Sequence, residues 1–275
     1  MPKKNLSSSG QTGPLSVGNV VSASLRIYRD HFKSYLGLAF VATLWSLVPI
    51  YGWAKYSAIL GLISRLAFGE VREKPETVSD ARREVNPRMW SFFGAGILTV
   101  LIYIGVSLVG GIAIAIVTGG AGAIFGRNSP IVAVLLVVAV IAFFIIYIRI
   151  ISRLLIVELP LAIENNIGAS SAIGRSWELT KGSVGRIQWI IFVGILVSLP
   201  ITIVVQILSS IVQSVLTAVL GAESGMFFLV YFLLILLLSF ASNALVTPFW
   251  QAMKAIIYYD LRSRKEGLGL QMRDR

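Results

Sequence analysis

Residues 131–150 read IVAVLLVVAVIAFFIIYIRI, and Arg149 is the single charged position in the stretch. Twenty helical residues rise about 30 Å, the thickness of a bilayer's hydrocarbon core. Lipid offers no partner to a backbone N–H or C=O. A segment this apolar must therefore satisfy its own backbone as a helix. Working outward, residues 90–118, 187–207 and 226–247 have the same character. The fold class that follows is all-α: a polytopic helical membrane protein.

Residues 34–69 are harder to place. An apolar run meets a tight turn at Pro49-Ile50-Tyr51-Gly52, and a second apolar run follows that carries Lys55 and Arg65. They read as a helical hairpin of two short spans, giving about six transmembrane helices in total with amphipathic interfacial helices between them. The alternative is a re-entrant hairpin, which leaves four.

Composition agrees. Of 275 residues, 56% are hydrophobic and 13% charged, against about 25% charged in a soluble domain. Mean hydropathy is +0.82. An ordinary soluble globule, a disordered chain and a disulfide scaffold are excluded. The chain has no Cys and a single His, His31. Thiol catalysis, Fe–S clusters and Cys- or His-based metal sites therefore have no ligands. No cofactor is expected. The polar stretch 1–14 does not read as a signal peptide, because its apolar run starts too late. The expected organisation is a disordered N-terminal tail over 1–14, one helical membrane domain over 15–262, and a basic C-terminal tail over 263–275.

The net charge of +11 is concentrated in four places. Lys3, Lys4, Arg26, Arg29 and Lys33 lie in the N-terminal segment. Arg72, Lys74, Arg82, Arg83 and Arg88 occupy the 70–89 loop. Arg149, Arg153, Arg175, Lys181 and Arg186 punctuate the centre. Lys254, Arg262, Arg264, Lys265, Arg273 and Arg275 lie near the C-terminus. An even number of spans puts all four clusters on one side. The positive-inside rule then makes both termini cytoplasmic, with a bacterial inner membrane as the expected location. Trp53, Trp90, Trp177, Trp189 and Trp250 lie near span ends, as an aromatic belt requires.

Residues 15–33 set Val17, Val20, Val21, Ser24, Leu25 and Tyr28 on one helical face and Arg26, Arg29 and Lys33 on another. That is the pattern of an interfacial helix suited to anionic lipid headgroups. Residues 77–93 and 167–190 repeat the layout, as a loose three-fold repeat or as convergent interface composition. Residues 208–220 are amphipathic, as expected of a stretch lying on the outer surface.

Three stretches, taken together, carry a resemblance: SVGNVVSASLRIYRDHFKSYLGL, RLLIVELPLAIENNIGASSAIGRSWELTKGS and IIYYDLRSRKEG. In this order they resemble the membrane domain fused to some bacterial glycerophosphoryl diester phosphodiesterases, and related stand-alone bacterial membrane proteins. The Tyr-Asp-Leu-Arg-x-Arg-Lys-Glu-Gly run is the most specific part. The resemblance implies a helical membrane domain. The phosphodiesterase activity belongs to a separate soluble barrel and does not carry over.

Phosphodiester chemistry needs clustered carboxylates and His around a metal, and here Glu158 and Glu164 are the only acidic pair near the core. The candidate contact residues are Arg26, Arg29, Lys33, Arg149, Arg153, Glu158, Glu164, Arg175, Arg186, Arg262, Arg264 and Lys265. They form either a surface for anionic headgroups or a partner, or an internal ion-pair lattice pinning an interfacial helix to the bundle. Asn243, Thr247, Gln251, Gln206 and Gln213 could line a polar path or bond between helices. The small-residue ladder Ser107, Gly111, Ala115, Gly119, Ala123 permits close approach within the bundle or between two copies. The expected function is a non-enzymatic scaffold or assembly factor that organises membrane lipids or other membrane proteins. A transporter or lipid-handling protein with an inter-helix cavity is the alternative. The expected partners are membrane lipids with anionic headgroups and a membrane protein or second copy, not nucleic acid.

Overall fold

In the computed structural model, residues 15–267 are described, and they contain α-helix, one 3-10 turn and no strand. The expected N-terminal tail, and all but the first five residues of the expected C-terminal one, lie outside them. Ten α-helices follow in order. They are α1 (Val17–Asp30), α2 (Phe32–Trp45), α3 (Tyr51–Val71), α4 (Val78–Val85), α5 (Met89–Phe125), α6 (Pro130–Leu154), α7 (Glu158–Ile163), α8 (Ala169–Thr180), α9 (Val184–Leu220) and α10 (Gly225–Glu266).

The helix starts follow from local chemistry. Ser16, Thr77, Ser129 and Ser224 each accept a hydrogen bond from a first-turn backbone N–H. Such caps contribute about 1 kcal/mol each. Pro130 sits in the first turn of α6, where its missing N–H costs nothing. Gly267 closes α10 in the left-handed conformation at φ +63°. Residues 263–266 belong to this helix. The Arg262–Glu266 pair, one turn apart, holds the last turn.

Four helical segments are long and apolar enough to cross a membrane. They pair as two hairpins, α5 with α6 and α9 with α10, joined by turns at Gly126–Ser129 and Gly221–Ser224. α9 runs unbroken from Val184 to Leu220 and includes residues 208–220. Above the base, both hairpins expose Leu, Ile, Val and Phe on almost every turn. In water this would be ruinous; in lipid it is the expected outer surface.

The buried core lies at the other end. It combines α1, α2, α3, α4, α7 and α8 with the basal turns of α5, α6, α9 and α10. At its centre is α3, which lies beside α10, α2, α5 and α7. Its small residues Ala54, Ala58, Gly61 and Ala67 allow that close packing. At Gly61 a Cβ would overlap the ring of Phe92.

The hairpin of α2 and α3 is short. The 14 residues of α2 rise about 21 Å, less than the bilayer core. Ser64 of α3 bonds Gln251 of α10 at 3.1 Å. Counting thirteen residues back along both helices places Tyr51 level with residue 238, partway down the apolar part of α10. Leu47, Val48, Ile50, Tyr51 and Trp53 at this tip are exposed.

The three amphipathic segments all form helices, each leading through a short break into an apolar one: α1 into α2 at His31, α4 into α5 at Asn86–Arg88, and α8 into α9 at Lys181–Ser183. The buried face of α1 is Val20, Val21 and Ser24, whereas Leu25 is exposed. α6 ends before Pro160 is reached. The break falls at 155–157, and Pro160 sits in the first turn of α7, where a proline is tolerated.

Candidate functional site

The basic end of the bundle contains most of the charge, and its carboxylates sort that charge into two classes. The first is internal. Arg175 of α8 reaches Glu164 at 3.1 Å and also pairs with Glu266. Glu266 in turn accepts from Arg262 at 2.8 Å, and Tyr258 donates to Glu164 at 2.5 Å. Arg186 of α9 pairs with Asp260 of α10, whose other oxygen accepts the Leu15 N–H at 3.1 Å. Arg65 is held twice by Glu76 and donates to the Ala162 carbonyl at 2.8 Å. Arg88 donates to the carbonyls of Leu161 and Glu164.

These pairs are partly buried and hydrogen-bonded, the geometry in which ionised partners are strongest. Burial alone would raise the Glu266 carboxyl. The hydrogen bonds from Arg262 and Arg175 outweigh it and hold that carboxyl below the usual range. The lattice ties α8, α9 and α10 to one another and to the start of α1. Glu164, Arg175, Arg186 and Arg262 all take part in these ion pairs. Glu158 also faces inward, accepting from Lys254 at 3.2 Å and Ser64 at 3.0 Å.

The second class faces out. Arg149 and Lys33 are exposed and Arg26 is half-buried; none has a carboxylate partner among the described residues. Arg29 is 80% exposed beside Asp30, at 3.6 Å, a pair worth almost nothing in water. Arg153 lies 4.8 Å from the Trp177 ring centroid and donates to the Trp177 carbonyl at 3.0 Å. Trp90, Trp177 and Trp189 are all exposed at this level.

Arg264 and Lys265 meet Lys181 around a recess of about 230 Å³, whose remaining lining is Gly182, Ser183 and Leu261. No carboxylate lines this recess among the described residues. Arg264 lies 4.0 Å from Asp260, but Arg186 already neutralises that group. Lys265 donates to the Glu178 carbonyl, which carries no net charge.

His31 is held on two sides: its Nε2 lies 3.2 Å from Glu70 and its ring stacks on Tyr35. The polar residues read as a path do not form one. Asn243, Gln206 and Gln213 are exposed toward the lipid-facing side, and Asn243 accepts a hydrogen bond from Thr247 of its own helix. Gln251 alone turns inward, to Ser64. The Ser107–Ala123 ladder faces outward as well, and a Cβ at Gly111 or Gly119 would meet nothing within 4 Å.

No family model, curated protein or solved structure matches this chain.

Sequence reasoning passed over Asp260, Glu266 and Tyr258, although each sits in the run used for the family resemblance. The usable signal was spacing. Tyr258, Arg262 and Glu266 recur every four residues, as do Asp260 and Arg264, so two charged stripes run along one helix.

Proposed function

We propose that this chain is a non-enzymatic integral membrane protein, a scaffold that gathers anionic lipids against a rigid basic platform. The observation that carries this is the recess of Lys181, Arg264 and Lys265, lined by three cations and no carboxylate. The internal lattice consumes the nearby acids and fixes the helices that present these cations. An anionic headgroup supplies the missing countercharge.

The topology in this reading is four spans plus a re-entrant α2–α3 hairpin. It is supported by the 14-residue length of α2 and by the depth at which the hairpin ends. Six spans would need α2 to cross alone, about 9 Å short of the hydrocarbon thickness. Either count leaves the termini on one side, and the positive-inside rule puts that side in the cytoplasm of a bacterial cell. The resemblance to phosphodiesterase membrane domains fits a helical module of this kind. Ion-coupled transport fits less well, since Asn243, Gln206 and Gln213 face outward and line no path between the helices.

Juxtamembrane cations contribute about 1 kcal/mol each toward an anionic surface. Replacing Lys181, Arg264 and Lys265 together by glutamine should weaken retention of an anionic glycerophospholipid by roughly 3 kcal/mol, on the order of a hundredfold. Native mass spectrometry of the full chain, titrated with phosphatidylglycerol and phosphatidylcholine, checks this. Equal retention of both lipids by the unmodified chain, or no loss in the triple variant, would sink the reading.

A further inference from the structure

A second cavity lies higher in the bundle, between α3, α5, the α6–α7 turn and α10. It encloses about 320 Å³. Its walls include Leu60, Phe92, Ile151 and Leu155, and its polar groups are Glu158, Lys254, Ser57, Thr99 and Tyr103. Ser57 and Thr99 spend their protons on carbonyls of their own helices, at 2.9 and 2.8 Å. Glu158 and Lys254 are different. Oε1 of Glu158 accepts from both Ser64 and Lys254, which leaves Oε2 without a hydrogen bond among the described residues. Lys254 makes one hydrogen bond there and has three protons. Neither group is sealed away: their side chains are 20% and 18% exposed.

The cavity's position matches a lipid's axis. Along α5 it runs from Phe92, two residues past the exposed Trp90, to Tyr103, a rise of about 17 Å. Its charged groups lie toward the basic end, below Pro248 on α10. Its mouth lies on α5 at Gly96 and Val100, both on the lipid-facing side. The volume is at the low end for ligand pockets, enough for a headgroup and too small for acyl chains. The chains would leave through the mouth.

We infer that this cavity binds the headgroup of a zwitterionic phospholipid carrying a primary ammonium. The ammonium donates to Glu158 Oε2, and the phosphate accepts from Lys254. A zwitterion meets both charges with their opposites. A purely anionic headgroup would face the Glu158 carboxylate, and a simple cation would face Lys254. A quaternary ammonium has no N–H for Oε2. The site is independent of the Lys181–Arg264–Lys265 recess: Lys254 precedes Arg264 by ten residues, about 15 Å up α10.

Gly96→Leu tests it, because at Gly96 a Cβ meets nothing nearer than Ser57 Oγ at 4.0 Å. The added side chain stops the mouth and removes no contact. Glu158→Gln with Lys254→Met removes both charges together and guards against a folding failure in the first variant. The full chain is reconstituted in nanodiscs of phosphatidylethanolamine and phosphatidylcholine, and retained lipid is counted by native mass spectrometry after detergent washing. The unmodified chain should retain about one ethanolamine lipid, preferred at least tenfold over the choline lipid. Gly96→Leu should lose it at least tenfold with an unchanged melting temperature, and the double variant should lose the preference. Equal retention of the two lipids overturns the inference. So does undiminished selectivity in either folded variant. Displacement of the lipid by soluble phosphoethanolamine at the same concentration would assign the cavity to a free headgroup and overturn the lipid as ligand. Loss of anionic-lipid binding in the recess variant leaves all of these readouts unchanged.

Discussion

Arg186→Met is expected to destabilise the protein by about 3–5 kcal/mol, the cost of leaving one member of a buried ion pair alone. Asp260 is 6% exposed, and its remaining partners are the Leu15 N–H and, more loosely at 4.0 Å, the exposed Arg264. The poorly compensated carboxylate would either stay charged in a poor environment or take up a proton. Either outcome loosens α9 from α10 and releases the start of α1. Adding Asp260→Leu should recover most of the loss, because a matched apolar pair avoids both desolvation penalties. About 1 kcal/mol should remain, from the Leu15 N–H left without its acceptor. Arg29→Met is the control. Its exposed pair with Asp30 predicts a change under about 1 kcal/mol. Denaturant unfolding in detergent micelles measures all three. A loss below 1 kcal/mol for Arg186→Met would mean that the lattice does not hold the platform together.

Gly52→Ala carries the second large effect, at least about 3 kcal/mol. In the turn before α3, Ile50 has φ +61° and the Tyr51 N–H reaches back to the Pro49 carbonyl at 2.7 Å. A β-branched residue at positive φ is strained, so the turn has little freedom left. A Cβ on Gly52 would overlap the Trp45 carbonyl oxygen and crowd Val48. Backbone cannot rotate away as a side chain can, so α2 and α3 would have to separate. Gly18→Ala offers the contrast. Nothing lies within 4 Å of a Cβ there, and alanine in an exposed helix should gain up to about 1 kcal/mol. The comparison is made by thermal unfolding of both variants under one condition.

The four long apolar segments were plain in the sequence because lipid imposes one rule on every turn of a spanning helix. The hairpin at 34–69 was not, because a buried helix and a short span share the same composition. In the fold, Ala54, Ala58 and Gly61 make α3 a packing helix, but apolar character alone does not separate the two cases. The charged residues show the same limit. Arg175 and Arg264 are indistinguishable in a list of cations. Only folding brings Glu164 and Glu266 to the first and leaves Lys181 and Lys265 beside the second. The partners lie up to 91 residues apart in sequence, and no local pattern reports such a pairing.

The account depends on one arrangement: basic platform on one side, hairpin turns on the other, and the α2–α3 tip within the bilayer. The chain has no native Cys, so single cysteines report cleanly. Lys74→Cys, Asn128→Cys and Leu47→Cys, probed with a membrane-impermeant maleimide from each side of sealed vesicles, test it directly. Lys74→Cys should label from the cytoplasmic side, Asn128→Cys from the opposite side, and Leu47→Cys from neither. Labelling of Leu47→Cys from the same side as Asn128→Cys would establish six spans. Labelling of Lys74→Cys and Asn128→Cys from one side would contradict the account as a whole.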